Sequence, residues 1–319
     1  MIQLVILDPV SEDRLERFAG YLPEGWNLEN AASRAREDQF AALEGTDFAI
    51  TADVPVTADM MAVPGLRAIH KWGVGYDNID CEAAKAHGVR VLRTTGSNAL
   101  SVAESALGLI LALNRNLVRG HTAVLAGRWP KSELGTTSQR LSGKTVGIIG
   151  LGYVGKALAG LLRGFGCDIL YTGRTRLDAE AEAALDVRFA SLEELLARAD
   201  VVSLNCSLNE DTRAMINART LALMKRGALL VNVARGGIVV EADLAEALKS
   251  GHLRGAASDV YMEEPVTADN PLLGLETAVN TPHIAAVSAD TFEPTVTRMI
   301  RNLRALDEGR EPPDLDVLV

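Results

Sequence analysis

Residues 145–163 read Thr-Val-Gly-Ile-Ile-Gly-Leu-Gly-Tyr-Val-Gly-Lys-Ala-Leu-Ala-Gly-Leu-Leu-Arg. The apolar run Thr145–Ile149 suits a buried strand, and Lys156–Arg163 carries a helical pattern. Between them Gly150, Gly152 and Gly155 form a G-x-G-x-x-G string, which in a strand–turn–helix setting reads as a dinucleotide-binding turn. Gly150 permits the tight turn, Gly152 lets backbone approach a pyrophosphate, and Gly155 lets helix pack on strand. The helix start at Tyr153 and Val154 then offers N–H groups and a positive dipole end to the phosphates.

Outward from this turn, strand-like runs alternate with helical ones, the pattern of a parallel α/β protein. Downstream strands are expected at Asp168–Thr172, Val201–Cys206, Ala228–Val233, Gly255–Asp259 and Ala278–Asn280. With Thr145–Ile149 they make six, as in a doubly wound dinucleotide-binding sheet. Upstream, Ile2–Leu7, Asp47–Thr51, Leu66–His70 and Val89–Leu92 read as strands of a smaller flavodoxin-like domain. Helices are expected at Ser11–Tyr21, Arg34–Leu43 and Asp80–His87. Ser101-Val-Ala-Glu104 and Ser191-Leu-Glu-Glu194 match the capping box, so a long helix is expected to start at Ser101. The final stretch, Ser288–Asp307, reads as one helix. The expected layout is residues 1–99 as the first part of a substrate domain, 100–287 as the inserted dinucleotide-binding domain, and 288–319 as a helix returning to the first.

Composition narrows the class. A chain of 319 residues, 48% hydrophobic and 23% charged, has material for two globular cores. The net charge of −10 argues against a nucleic-acid partner. No apolar stretch reaches membrane-spanning length, and Met1–Asp8 reads as a strand rather than a signal peptide. The three cysteines, Cys81, Cys167 and Cys206, show no metal-ligand spacing and fit reduced core thiols of a cytoplasmic protein. No metal is expected.

Three polar residues follow late strands at the cofactor end of the expected sheet. Arg235 follows Leu229–Ala234, Glu264 follows Asp259–Glu263, and His283 follows Asn280-Thr-Pro282. Their chemistry suits hydride transfer to a carbonyl. An arginine can hold a carboxylate by a charge-assisted fork. A protonated histidine can give its proton to the oxygen, and a carboxylate can orient that imidazole and favour its charged form.

Four stretches, Gly150–Gly155, Val231-Asn-Val-Ala-Arg-Gly-Gly237, Asp259-Val-Tyr-Met-Glu-Glu-Pro265 and Thr281-Pro-His-Ile-Ala285, resemble the D-isomer-specific 2-hydroxyacid dehydrogenase family. Lys71-Trp-Gly-Val-Gly-Tyr-Asp-Asn-Ile-Asp80 resembles it more loosely. The resemblance implies the same three roles for Arg235, Glu264 and His283. It implies that Asp259 lies near the nicotinamide carboxamide and that the N–H groups of Val74 and Gly75 help hold the substrate carboxylate. Trp72 and Lys71 flank that loop: Trp72 either walls the substrate pocket or is buried and structural, and Lys71 either adds a cation near the substrate or is simply exposed. Formate dehydrogenases, a related branch, carry glutamine beside the histidine, so Glu264 argues against formate.

Cofactor preference is read from the end of the second strand, Ile169-Leu-Tyr-Thr-Gly-Arg-Thr-Arg176. Gly173 stands where NAD-specific proteins carry an acid for the ribose hydroxyls, and Arg174 and Arg176 follow. Guanidinium groups welcome a 2′-phosphate, so NADPH is expected, with NAD possible. Ser207, where most relatives have proline, and the Tyr-Thr-Gly-Arg string resemble the glyoxylate/hydroxypyruvate reductase branch. The expectation is a reductase of a small 2-keto acid giving a D-2-hydroxy acid. It acts as a homodimer, with the Ser101 helix in the interface and Trp129 there or reaching the neighbouring site. Alternatives are a bulkier keto acid, 3-phosphoglycerate or phosphite as substrate, or a nucleotide-sensing corepressor-like binding module.

Overall fold

The computed structural model describes all residues, Met1–Val319. The chain divides into two compact units, Met1–Asn98 with Ser288–Val319, and Ala99–Val287.

Unit 1 is built on a parallel five-stranded sheet in the order β2-β1-β3-β4-β5, with β1 Ile2–Ile6, β2 Trp26–Asn30, β3 Phe48–Thr51, β4 Ala68–Lys71 and β5 Arg90–Leu92. This order is the flavodoxin-like one. Sequence reading passes over β2. Its run Trp-Asn-Leu-Glu-Asn is polar because it is an edge strand with no fully buried position. The helix Cys81–His87 is capped by Asp80, whose carboxylate accepts from Ala83 N at 2.9 Å, and ends on Gly88 in the left-handed region. The C-terminal helix begins at Phe292, not Ser288, and packs Val296, Met299 and Leu303 against Leu4, Phe48 and Leu92. Asp316 ties the chain end down. Its buried carboxylate accepts from Arg298 Nε and Nη2 at 2.7 and 2.6 Å, Asn302 Nδ2 at 3.0 Å and Thr95 N at 3.0 Å.

Unit 2 carries a parallel seven-stranded sheet in the order β12-β11-β10-β9-β6-β7-β8. Its strands are β6 Thr145–Ile149, β7 Asp168–Thr172, β8 Arg188–Phe189, β9 Val201–Leu204, β10 Leu229–Asn232, β11 Gly255–Ser258 and β12 Ala278–Asn280. The first six in chain order run 3-2-1-4-5-6, the dinucleotide-binding order, with β12 as a seventh. The expected six strands thus become seven because two-residue β8 at the edge has too little sequence to show a period. Cys206, Val233 and Asp259, expected inside strands, lie just beyond them.

The long helix begins at Ala99, so Ser101 lies in its first turn and is not its cap. Ala99 and Leu100 are strong helix formers, and they extend the helix past the serine. It ends at Asn114, and a separate helix Leu117–Leu125 follows Asn116, which has φ 51°. Its face of Val102, Ala106 and Ile110 packs with Leu158 and Leu162 of the helix after the glycine turn. At the other expected box, Ser191 Oγ does accept from Glu194 N at 3.2 Å.

Candidate active site

The glycine turn leaves β6 at the point where strand order reverses, between β6 and β9. Gly150 has φ +95°, and a Cβ there would lie 2.7 Å from the backbone of Cys206. A Cβ on Gly155 would lie 2.2 Å from Gly150 O. Both positions exclude any side chain. Gly152, by contrast, faces open space, with nothing within 4 Å of a built Cβ. It caps the helix Tyr153–Arg163 without a side-chain hydrogen bond, so the first N–H groups await an external acceptor. This open cradle at a helix start fits a pyrophosphate. Ser207 is exposed in the loop beyond β9, and its carbonyl accepts from Thr212 Oγ1 at 2.7 Å.

The two arginines after β7 differ. Arg174 is exposed and no ion pair holds it. Arg176 donates Nε and Nη2 to Glu182 at 2.9 and 3.0 Å and lies over Phe189. Glu182 also accepts from Tyr171 OH at 2.8 Å.

The carboxyl ends of β10, β11 and β12 carry the polar trio. His283 Nδ1 lies 2.6 Å from Glu264 Oε2. A carboxylate only accepts, so Nδ1 bears the hydrogen and Nε2 is left for a reacting oxygen. The bond that Nδ1 donates to Glu264 raises the imidazole's pKa above its usual value, against partial burial and the charge of Arg235. Burial pushes Glu264 up, but its bonds from His283 and from Tyr261 N at 2.8 Å, with the charges of His283 and Arg235, leave it lowered. The pair is therefore an imidazolium–carboxylate over a wider pH range than either group alone.

Three features hold this geometry. His283 itself has φ 54°, unusual outside glycine. Asp259, 1% exposed, pins that bend: Oδ1 accepts from Thr281 Oγ1 at 2.6 Å and Ile284 N at 2.9 Å, and Oδ2 from Ala285 N at 2.8 Å. Its carbonyl accepts from His283 N at 2.8 Å. The carboxylate is thus taken up as a loop cap, one residue beyond β11. Asn232, also buried, folds the Arg235 loop by donating to Arg235 O at 3.0 Å and accepting from Ala234 N at 3.1 Å. Arg235 Nη1 donates to Ala234 O at 2.8 Å. Glu241 fixes the Glu264 loop by accepting from Met262 N at 2.9 Å and Asn270 Nδ2 at 2.8 Å. Sequence reading missed Asn232 and Glu241. The first sits inside the Val231–Gly237 stretch, whereas nothing near Glu241 signals a role for it.

In unit 1, Gly73 has φ +140° and its carbonyl accepts from Thr94 N and Oγ1, both at 3.2 Å. Val74 O accepts from Arg93 Nη1 at 3.4 Å. Lys71 is buried, not exposed, and donates to Ala52 O and to Asn78 Oδ1. Trp72 packs edge-on against Phe18 with centroids 5.4 Å apart and under the Arg14 guanidinium. In unit 2, Trp129 is 80% exposed.

Residues 107–285 match the D-isomer specific 2-hydroxyacid dehydrogenase NAD binding domain. The chain belongs to that family. Among curated relatives of this dehydrogenase, a formate dehydrogenase of Chaetomium thermophilum is 37% identical over 92% of the chain and 84% of its own length. A glyoxylate reductase of Korarchaeum cryptofilum is 39% identical over 82% of the chain and 79% of its own length. The crystal structure of NAD-dependent formate dehydrogenase from Staphylococcus aureus in complex with NAD superposes with a TM-score of 0.89 at 28% identity, covering 100% of this chain and 99% of that one. The fold is accordingly that of a two-sheet α/β dehydrogenase with an NAD-binding unit, and the protein is an oxidoreductase. No helix is long and apolar enough to cross a membrane.

Proposed function

We propose that this dehydrogenase is an NADPH-linked reductase of small 2-keto acids, glyoxylate or hydroxypyruvate foremost, giving D-2-hydroxy acids. The observation that carries the reading is the 2.6 Å His283–Glu264 pair with its raised imidazole pKa. It lies at the same sheet edge as the glycine turn. The dinucleotide, when bound, supplies the hydride. Arg235 holds the substrate carboxylate by its guanidinium fork. His283 delivers the Nε2 proton to the carbonyl oxygen, and Glu264 keeps that proton on the ring beforehand. Asp259 serves the nicotinamide only through the loop it caps.

Formate is the competing substrate, since one relative bears that name. Its oxidation releases carbon dioxide and leaves no hydroxyl proton to move. A protonated imidazole held by Glu264 has no task in that reaction, which favours the keto acid. For the cofactor, Gly173 and the unpaired Arg174 at the end of β7 support a 2′-phosphate, with Arg176 offering the Nη1 not used by Glu182. Exposed Leu117, Leu125 and Trp129 support a homodimer across that face of unit 2.

The test is a panel of 2-keto acids and formate assayed with NADPH and NADH in the wild type and His283→Ala. Glyoxylate or hydroxypyruvate reduction with NADPH should lead. The variant should lose about 10²–10⁴ in turnover, the usual share of a general acid. Formate leading the panel, or a variant at full rate, refutes the proposal.

A further inference from the structure

The sheet edge opposite the glycine turn carries a second, unassigned cluster. Lys144, Asp200 and Arg254 are the residues immediately before β6, β9 and β11, and Arg226 lies two residues ahead of Ala228, which precedes β10. With Asn114 and Lys225 they line a pocket of about 150 Å³. Four cations there face one carboxylate, in a chain whose net charge is −10.

The carboxylate is already used. Asp200 Oδ1 accepts from Lys225 Nζ at 3.0 Å and Oδ2 from Thr145 N at 2.9 Å. Arg254 is half-buried and committed to Thr137 O at 3.1 Å and Asn114 Oδ1 at 2.8 Å, its pKa lowered by burial. Helix carboxyl ends at this edge favour cations in general, and Arg254 meets that need. Lys144 and Arg226 make no side-chain hydrogen bond, and Lys144 acts on Asp200 by charge alone.

Asn114 supplies the independent observation. It is 1% exposed, and because Arg254 can only donate, Oδ1 must face the guanidinium. Asn114 Nδ2 is then fixed toward the other side, buried and without a partner. A buried donor left unpaired calls for an acceptor, and the surrounding charge specifies a negative one.

We infer that this pocket binds a compact phosphoryl anion, held by Asn114 Nδ2, Lys144 and Arg226. It shares no residue with the site that binds the dinucleotide. Inorganic phosphate titrated calorimetrically into the dinucleotide-saturated dehydrogenase, at ionic strength fixed with chloride, should show one site per chain and raise the thermal midpoint. Asn114→Asp keeps the shape and the Arg254 bond but turns a negative oxygen on the ligand. It should weaken phosphate binding by at least about tenfold, the loss of one charge-assisted bond. Lys144→Gln combined with Arg226→Gln should do the same, and decides the matter if Asn114→Asp does not fold. Arg174→Ala should leave the phosphate titration unchanged. Glycerol phosphate binding more tightly than inorganic phosphate identifies an ester as ligand, and the reverse identifies free phosphate. Absence of binding beyond the chloride control, or binding that both variants retain, overturns the inference.

Discussion

Gly236→Ala should uncouple the arginine from the histidine pair without touching either. A Cβ built on Gly236 meets Tyr261 C at 1.9 Å, Tyr261 O at 2.0 Å and Met262 N at 2.4 Å. All three are backbone atoms, so no side chain can swing aside. Restoring an ordinary 3.4 Å contact from 1.9 Å asks for a displacement of about 1.5 Å between the two loops. One loop carries Arg235; the other carries Tyr261, whose N–H holds Glu264 at 2.8 Å. Misplacement of about 1 Å costs on the order of 10² in rate where catalysis rests on orientation. Overpacking adds a stability loss of about 1–3 kcal/mol. Gly237→Ala is the internal control, because its Cβ meets only the ends of flexible side chains, Leu208 Cδ2 at 3.1 Å and Cδ1 at 3.4 Å and Arg213 Nη1 at 3.7 Å. Steady-state reduction of glyoxylate, with thermal unfolding of each variant, reads both effects. Expected is a drop of about 10² in kcat/KM for Gly236→Ala and less than tenfold for Gly237→Ala, each still folded. Equal rates in the two variants would refute the idea that close packing of these loops sets the site.

Other outcomes follow from the same geometry. His283 has a raised folded-state pKa, so proton donation is available at low pH and is lost as pH rises through that pKa. Glu264→Gln removes the largest cause of the rise, and the falling limb of reductive kcat/KM against pH should move to lower pH; an unmoved limb contradicts the pairing. Arg174→Ala should weaken NADPH by about tenfold or more and NADH little, measured by fluorescence titration, while Arg176→Ala, already bound to Glu182, should affect both less. Asp316→Ala leaves the Arg298 charge without its buried partner, and urea unfolding should show a loss of about 3–5 kcal/mol. Asp316 has a lowered folded-state pKa, so that stabilisation is present above the unfolded value and fades as acid takes pH through the folded one.

Much of this arrangement is legible before any coordinates. Gly150 and Gly155 are dictated by contacts under 3 Å, which is why a spacing of glycines carries so much information. Strands β6, β7 and β12 appear at their expected bounds because they are apolar runs closed by turn residues. Two other strands escape for the opposite reason: β2 is polar, and β8 has two residues. Ser101 misleads because a capping pattern is local, whereas a helix start also depends on the preceding turn, Thr94–Asn98. Lys71 misleads because charge predicts exposure, yet its ammonium finds Ala52 O and Asn78 Oδ1 inside unit 1. Asn232 and Glu241 act through backbone groups of other loops, a partnership with no sequence period at all.

The two carboxylates around His283 divide the work in a way residue type alone does not reveal. Glu264 touches the imidazole and sets how firmly it keeps its proton. Asp259 touches only the backbone and the Thr281 hydroxyl around it, and favours the charged ring only weakly, by its own charge. What Asp259 provides is the bend. A φ of 54° at a non-glycine residue is strained by about 1–3 kcal/mol, and it persists only where surroundings over-determine it. Here the hydrogen bonds to Asp259 from residues 281–285 do so. Exchange of Glu264 should therefore alter pH dependence with the loop intact. Exchange of Asp259 for asparagine, which cannot accept on both sides, should relax the bend and lower turnover at every pH.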